Sequence, residues 1–206
     1  MPGAYHTPSE TSTVDTEVKK SRFVAKCAPC VSADDALAFI RDNRDLSASH
    51  NCWAFRTRES VYRFSDDGEP GGSAGQPIMN AVNASGLDYV VCMVTRYYGG
   101  TQLGVGGLIR AYGGAAQLVL EKARETATLV KPIVDATVNC AASDLGGVYS
   151  ALDEFKAVKV DEEYSDDGSV HIQLIVESSA VNDLQYRVRN ATSGRADFKW
   201  WEPVDV

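Results

Sequence analysis

Three groups of residues have the types and spacing to do chemistry, and all lie between Ser65 and Gly114. The first is a carboxylate run, Asp66, Asp67 and Glu69, in SDDGEPGGSAGQP. Such carboxylates can hold a divalent cation or act as general acid and base. Glycine and proline dominate this run, which favours the other reading: a loop pinned through Asx turns, with a carboxylate paired to Arg96 or Arg110. The second group is Arg96, Tyr97 and Tyr98, a cation beside two rings, suited to a phosphate and a stacked base. The third is the loop that passes Gly99, Gly100, Gly104 and Gly106 and leads to Arg110. A helix starting there would offer free N–H groups and a positive dipole end to an anion. The expected binding surface is therefore Arg96, Tyr97, Tyr98, Gly99, Gly100, Gly104, Gly106 and Arg110, with both guanidinium groups converging on the loop. Twelve of the 17 glycines fall in Ser65–Gly114. Glycine is costly to order, so this density signals backbone shape under demand. The competing reading is that these glycines only let a helix pack close to a sheet.

Other motifs carry less. No G-x-x-x-x-G-K-[ST] occurs, and Gly104-x-Gly106 lacks a third glycine at dinucleotide spacing. His50 and Cys52 share one strand face, and with Asp66 they would make the parts of a Cys-His-Asp hydrolase. No turn sets Cys52 up as a nucleophile, and a buried thiol and imidazole under the loop fit as well. Cys27-Ala-Pro-Cys30 would suit a redox pair or half a zinc site, with His50 and Cys52 completing four ligands. The expected cap Ser32 falls too late for a thioredoxin-type helix start. No catalytic residue, metal or cofactor is assigned.

Hydrophobic periodicity and turn residues set the scaffold around these groups. Glu17–Cys27 is a first strand with Phe23 and Ala25 on one face. Ser32 caps a helix to about Arg44, with Asp35 as its capping-box partner and Ala36, Leu37, Phe39 and Ile40 on its apolar face. Asn51–Arg56 and Val61–Phe64 form a hairpin. Pro77 suits the first position of a short helix that Gly86 stops. Tyr89–Thr95 is apolar throughout, as a buried central strand is. Gly107–Glu125 has helical periodicity in Leu108, Ala111, Ala115, Leu118 and Val119. Thr128–Lys131 ends that helix, and Pro132 marks a boundary, giving domains 17–130 and 131–206 after a disordered lead-in at 1–16. The second domain runs Ile133–Cys140 (strand), a helix capped by Ser143, Val158–Tyr164 and Val170–Glu177 (a hairpin around Ser165–Ser169), a helix capped by Ser179, and a strand Phe198–Glu202. That βαββαβ order is ferredoxin-like.

Composition bounds the function. At 206 residues, 44% hydrophobic and 23% charged, the chain is of the globular class. No apolar run approaches the roughly 20 residues of a membrane helix. The first residues lack the pattern of a secretory signal, and five cysteines fit reduced thiols, so a cytoplasmic protein is expected. The net charge of −8 is unevenly spread. Residues 1–130 carry 13 Lys+Arg against 14 Asp+Glu, and residues 131–206 carry 7 against 14. A bulk-electrostatic nucleic-acid binder is therefore excluded, and any phosphate binding must use a local patch in the first domain.

The runs DDGEPGGSAGQPI and VTRYYGGTQLGVGGLIRAY, with the earlier SHNCWAF, resemble the YigZ/IMPACT family over about residues 17–125. The remainder resembles the C-terminal domain of its bacterial YigZ-type members. Gly72 stands where the family usually has threonine, and Tyr98 where phenylalanine is common. The resemblance implies an α+β protein: an N-terminal α/β sandwich like domain 2 of a small-subunit ribosomal protein, then a ferredoxin-like domain like the last of elongation factor G. It implies a translation-associated regulatory or RNA/ribosome-binding role, since eukaryotic members compete for a ribosome-associated activator of the initiation-factor kinase. An enzyme acting on a small phosphorylated or peptide substrate at the acidic-glycine loop, and an adaptor whose acidic second domain meets a basic regulatory protein, remain as alternatives. Neither involves a membrane.

Overall fold

The computed structural model describes residues 3–58 and 61–201. Residues 1 and 2, part of the expected turn before Val61, and Glu202 of the expected last strand lie outside them. The chain divides into two compact units, Tyr5–Val130 and a second that begins at Lys131.

The first unit is an antiparallel sheet covered on both faces. In chain order it has β1 (Tyr5–Thr7), β2 (Ser12–Val18), β3 (Ser21–Pro29), α1 (Ala33–Asn43), β4 (His50–Arg58), β5 (Val61–Ser65), α2 (Gly75–Ser85), β6 (Val90–Tyr97), α3 (Val105–Glu125) and β7 (Thr128–Val130). Five strands pair in the order β2-β3-β6-β4-β5, which puts the apolar β6 at the centre, as its composition demands. One face packs Phe23, Ala25, Cys27, Cys52, Ala54, Cys92 and Val94 against α2 and α3. The other packs Cys30, Phe55, Val91 and Met93 against Ala36 and Ile40 of α1. The Ser32 hydroxyl caps α1 by accepting from Asp35 N–H at 3.1 Å. Gly86 ends α2 in the left-handed region, with φ +70°.

Several expectations need correction. The lead-in is not disordered over its length: β1 pairs with β7, and β2 pairs with β3 along its whole run. The strand expected over Glu17–Cys27 is instead a hairpin with a two-residue turn at Lys19-Lys20. The alternation changes phase at Lys19, where the chain reverses and places Val14, Thr16 and Val18 opposite Ala25, Phe23 and Ser21. Pro77 is the third residue of α2 rather than the first, because the helix begins at Gly75.

The second unit is β8 (Ile133–Ala141), a single 3-10 turn (Ala142–Asp144), α4 (Leu145–Glu154), β9 (Val158–Tyr164), β10 (Ser169–Glu177), α5 (Val181–Ala191) and β11 (Asp197–Trp201). Its sheet order, β11-β8-β10-β9, with all pairs antiparallel, is the ferredoxin-like arrangement. The core lies between one sheet face and the two helices, with Val138, Ile172, Leu174, Val148 and Leu184 at its centre. Ser143 and Ser179 do not cap these helices: Ser143 sits inside the 3-10 turn, and α5 starts beyond Ala180 without a side-chain cap. Together the units make an α+β protein of two domains.

Candidate functional site

The acidic loop between β5 and α2 is built from its carboxylates inward. The Asp66 carboxylate accepts N–H bonds from Gly72 (2.8 Å), Ala74 (2.9 Å) and Gly75 (2.8 Å). It thus satisfies the start of α2, which has no cap of its own. Burial opposes ionisation of Asp66, but the three N–H donors outweigh it and hold the carboxyl below the ordinary range. Asp67 accepts from Asn51 N–H at 2.6 Å and from Arg44 at 3.0 Å, and its carbonyl meets His50 Nδ1 at 2.8 Å. Glu69 is buried, and its Oε1 accepts from both Arg96 Nη1 and the Tyr112 hydroxyl at 2.7 Å. Each carboxylate is thereby engaged in holding the loop. Among the described residues, no group of three or more His, Cys, Asp or Glu side chains is placed to hold a metal ion.

Arg96 is where the structure departs most from expectation. It is only 6% exposed, lies under the rings of Phe23 (5.7 Å) and Tyr98 (5.4 Å), and is neutralised by Glu69. His50 Nε2 stands 3.8 Å from the other Glu69 oxygen. Arg96 Nε and the hydroxyl of buried Ser73 have no hydrogen-bond partner among the described residues. The reason is register. Arg96 pairs across the sheet with Phe23 and His50, so it points to the face that α3 covers. A cation there must have a counter-ion, and the loop delivers Glu69. The expected convergence of two free guanidinium groups does not occur, because Arg110 is exposed and Arg96 is not.

The neighbouring residues sort by the same alternation. Tyr97 points to the opposite face, where its hydroxyl donates to Asp45 at 2.6 Å and Arg22 lies 5.6 Å above its ring. That bond raises the Tyr97 phenol and, with the Ser47 donors, lowers the Asp45 carboxyl to about 2. Tyr98 is 50% exposed. Gly99 donates its N–H to Ser21 Oγ at 3.2 Å. A Cβ on Gly99 would sit 1.9 Å from the Lys20 carbonyl oxygen, so no other residue permits this approach. Gly100 and Gly104 have φ of +82° and +73° and face open space. Gly106 falls inside the first turn of α3, beside Arg110.

That close approach brings in residues that the sequence did not single out. Lys19 and Lys20 form the β2–β3 turn with φ of +48° and +67°, and both side chains are exposed. Two-residue turns of this hand favour Asn-Gly. A non-glycine residue in the left-handed region costs roughly 1–2 kcal/mol. The turn lies against Gly99, and Lys19 shares a pocket of about 160 Å³ with Val18, Leu103, Gly107, Arg110 and Ala111. The first turn of α3 carries no acidic residue. The corner around the glycine loop is thus cationic, but through Lys19, Lys20 and Arg110 rather than Arg96. A shift in sequence phase was the available signal: Val14, Thr16 and Val18 occupy even positions, Phe23, Ala25 and Cys27 odd ones.

The cysteine readings lose their chemistry. Cys52 is wholly buried and donates to the Asp66 carbonyl at 3.0 Å, and burial pushes its thiol up to about 12. It is not a thiolate nucleophile at neutral pH. Cys27 and Cys30 belong to cores on opposite faces of the sheet, so they form neither a redox pair nor half a zinc site. Burial pushes each of them up to about 12 as well.

This fold and loop define a class: two-domain α+β proteins with a glycine-rich corner braced by a buried Arg–Glu pair. Comparison with known proteins gives the family. A model described as the Impact N-terminal domain matches residues 19–120, and one described as Domain of unknown function (DUF1949) matches residues 138–195. The chain is 42% identical over 151 residues to an IMPACT family member encoded in the pol 5' region of Thermus thermophilus, covering 73% of this chain and 82% of the relative. It is 35% identical over 164 residues to the IMPACT family member YigZ of Escherichia coli (strain K12), covering 76% and 79%. The crystal structure of a hypothetical protein aligns over 99% of this chain and 100% of its own, with a TM-score of 0.66 and 28% identity. The chain belongs to the IMPACT family. Among its described residues, no helix is long and apolar enough to cross a membrane.

Proposed function

We propose that this protein is a translation-associated RNA- or ribosome-binding member of its family, and that it binds through the cationic corner of its first domain. Lys19, Lys20 and Arg110 meet phosphates there, and half-exposed Tyr98 offers a ring for a base. Gly99, Gly100, Gly104 and Gly106 shape the loop between them. Tyr97 anchors the strand end, and Arg96 holds Tyr98 from beneath. Asp66, Asp67 and Glu69 brace the corner from the far side of the loop. The observation that carries the reading is the pair of exposed lysines held in left-handed backbone against Gly99, beside Arg110. A turn under such strain is kept where the side chains are wanted.

The test is binding of the full chain to ribosomes and to single-stranded RNA across a salt series. Lys19→Ala, Lys20→Ala and Arg110→Ala together remove three cations, and each phosphate no longer neutralised flattens the slope of log K against log salt by about 0.7 on single strands. A flattening of roughly 2 with native-like folding is expected. Equal slopes for parent and triple variant would discard the assignment.

A further inference from the structure

We propose that the uncovered sheet face of the second domain docks a lysine- or arginine-rich protein segment that carries an aliphatic or aromatic anchor. The helices α4 and α5 cover one face of this sheet and leave the other open. On the open face, Asp135 of β8 lies between Ile175 of β10 and Trp201 of β11, and Ile175 lies beside Val158 of β9. The irregularity between Gln173 and Leu174 turns Val160 onto the same face, where it lines a depression of about 120 Å³ with Asp135, Thr137, Gln173 and Trp201. Trp201 is 46% exposed, Ile133 47%, Val158 56% and Val160 63%. Large apolar side chains grouped in this way on one sheet face mark an interaction surface.

The charge around the patch decides the occupant. Asp161 and Glu163 lie opposite Gln173 and His171 on the open face and are exposed, and neither carboxylate takes part in an ion pair among the described residues. Asp135 is half-buried at the patch centre and has none either. Glu177 and Asp197, at the edges, are paired with Lys131 and Lys199. Residues 131–206 carry 7 Lys+Arg against 14 Asp+Glu. Such a face repels a phosphate backbone and attracts a cationic peptide, whose apolar side chain the Trp201–Val160 depression receives. The face is separate in charge and in domain from the corner proposed to meet RNA, so either assignment can fail alone.

The test uses the full chain, labelled for amide NMR, and three probes: a short peptide alternating lysine with leucine, the same peptide with glutamate for lysine, and a single-stranded RNA. The lysine–leucine peptide is expected to shift the amides of β8, β9, β10 and β11 and the Trp201 indole. The glutamate peptide and the RNA are expected to leave them in place. Asp161→Asn and Glu163→Gln should each weaken the peptide roughly two- to fivefold. Trp201→Ala should weaken it on the order of thirtyfold, and Val160→Ser, which leaves β11 intact, should weaken it in the same direction. Absence of shifts, shifts scattered over other elements, or movement of this face by RNA would overturn the proposal.

Discussion

Replacing Arg96 by alanine tests the account of the loop most severely. The substitution removes a guanidinium 2.7 Å from Glu69 Oε1 and leaves a carboxylate whose residue is 8% exposed. At an effective dielectric constant of about 20, unit charges about 4 Å apart interact by roughly 4 kcal/mol. Breaking a buried pair from one side costs about 3–5 kcal/mol, because the remaining charge stays desolvated. The Tyr112 hydroxyl remains bound to Glu69 and offsets a little of this, while lost packing against Phe23 and Tyr98 adds to it. Domain stabilities are about 5–15 kcal/mol, so Arg96→Ala should consume a large share. Removing both charges, as Arg96→Met with Glu69→Gln, should cost much less than the two single changes summed, with a coupling of about 2–3 kcal/mol. Urea unfolding followed by circular dichroism measures the parent, Arg96→Ala, the two single changes and the double variant. An Arg96→Ala loss below about 1 kcal/mol, or strict additivity of the two changes, would refute the buried-pair reasoning. One consequence is practical: weakened RNA binding by an Arg96 variant would report a damaged fold, so the RNA test belongs to Lys19, Lys20 and Arg110.

Three further outcomes are expected. Lys19→Asn with Lys20→Gly should stabilise the protein by about 1–2 kcal/mol in urea by relieving the turn, while lowering RNA affinity; a destabilised variant would show that the turn is not strained. Gly99→Ala should cost on the order of 1–3 kcal/mol or more, since its methyl meets Lys20 backbone rather than a movable side chain; an unchanged thermal midpoint would contradict the close approach. Asp66 is held below its ordinary pKa in the folded chain, so its contribution is complete above the unfolded value near 4 and drains away as pH falls through the folded value. Asp66→Ala should cost about 0.5–2 kcal/mol at neutral pH through the lost N–H bonds. The same change should flatten the acid limb of the stability curve, and parallel limbs would count against it.

Elements with local signals were legible in the order of residues. Ser32 with Asp35 caps α1, Gly86 stops α2, the unbroken apolar run before Arg96 is the central strand, and the βαββαβ order of the second domain follows from its turns. The sequence motifs also placed the chain in its family. Tertiary structure decided which charges are free. β6 is buried on both faces, so alternation within it gives no sign of which side Arg96 takes, and only its register against Phe23 and His50 turns it toward Glu69. Lys19 and Lys20 gained their meaning in the same way: Ser21 and Gly99, 78 positions apart, are brought into hydrogen-bond contact by the pairing of β3 with β6. Local sequence specifies backbone preference residue by residue, whereas electrostatic partners are chosen by the packing of segments far apart in the chain.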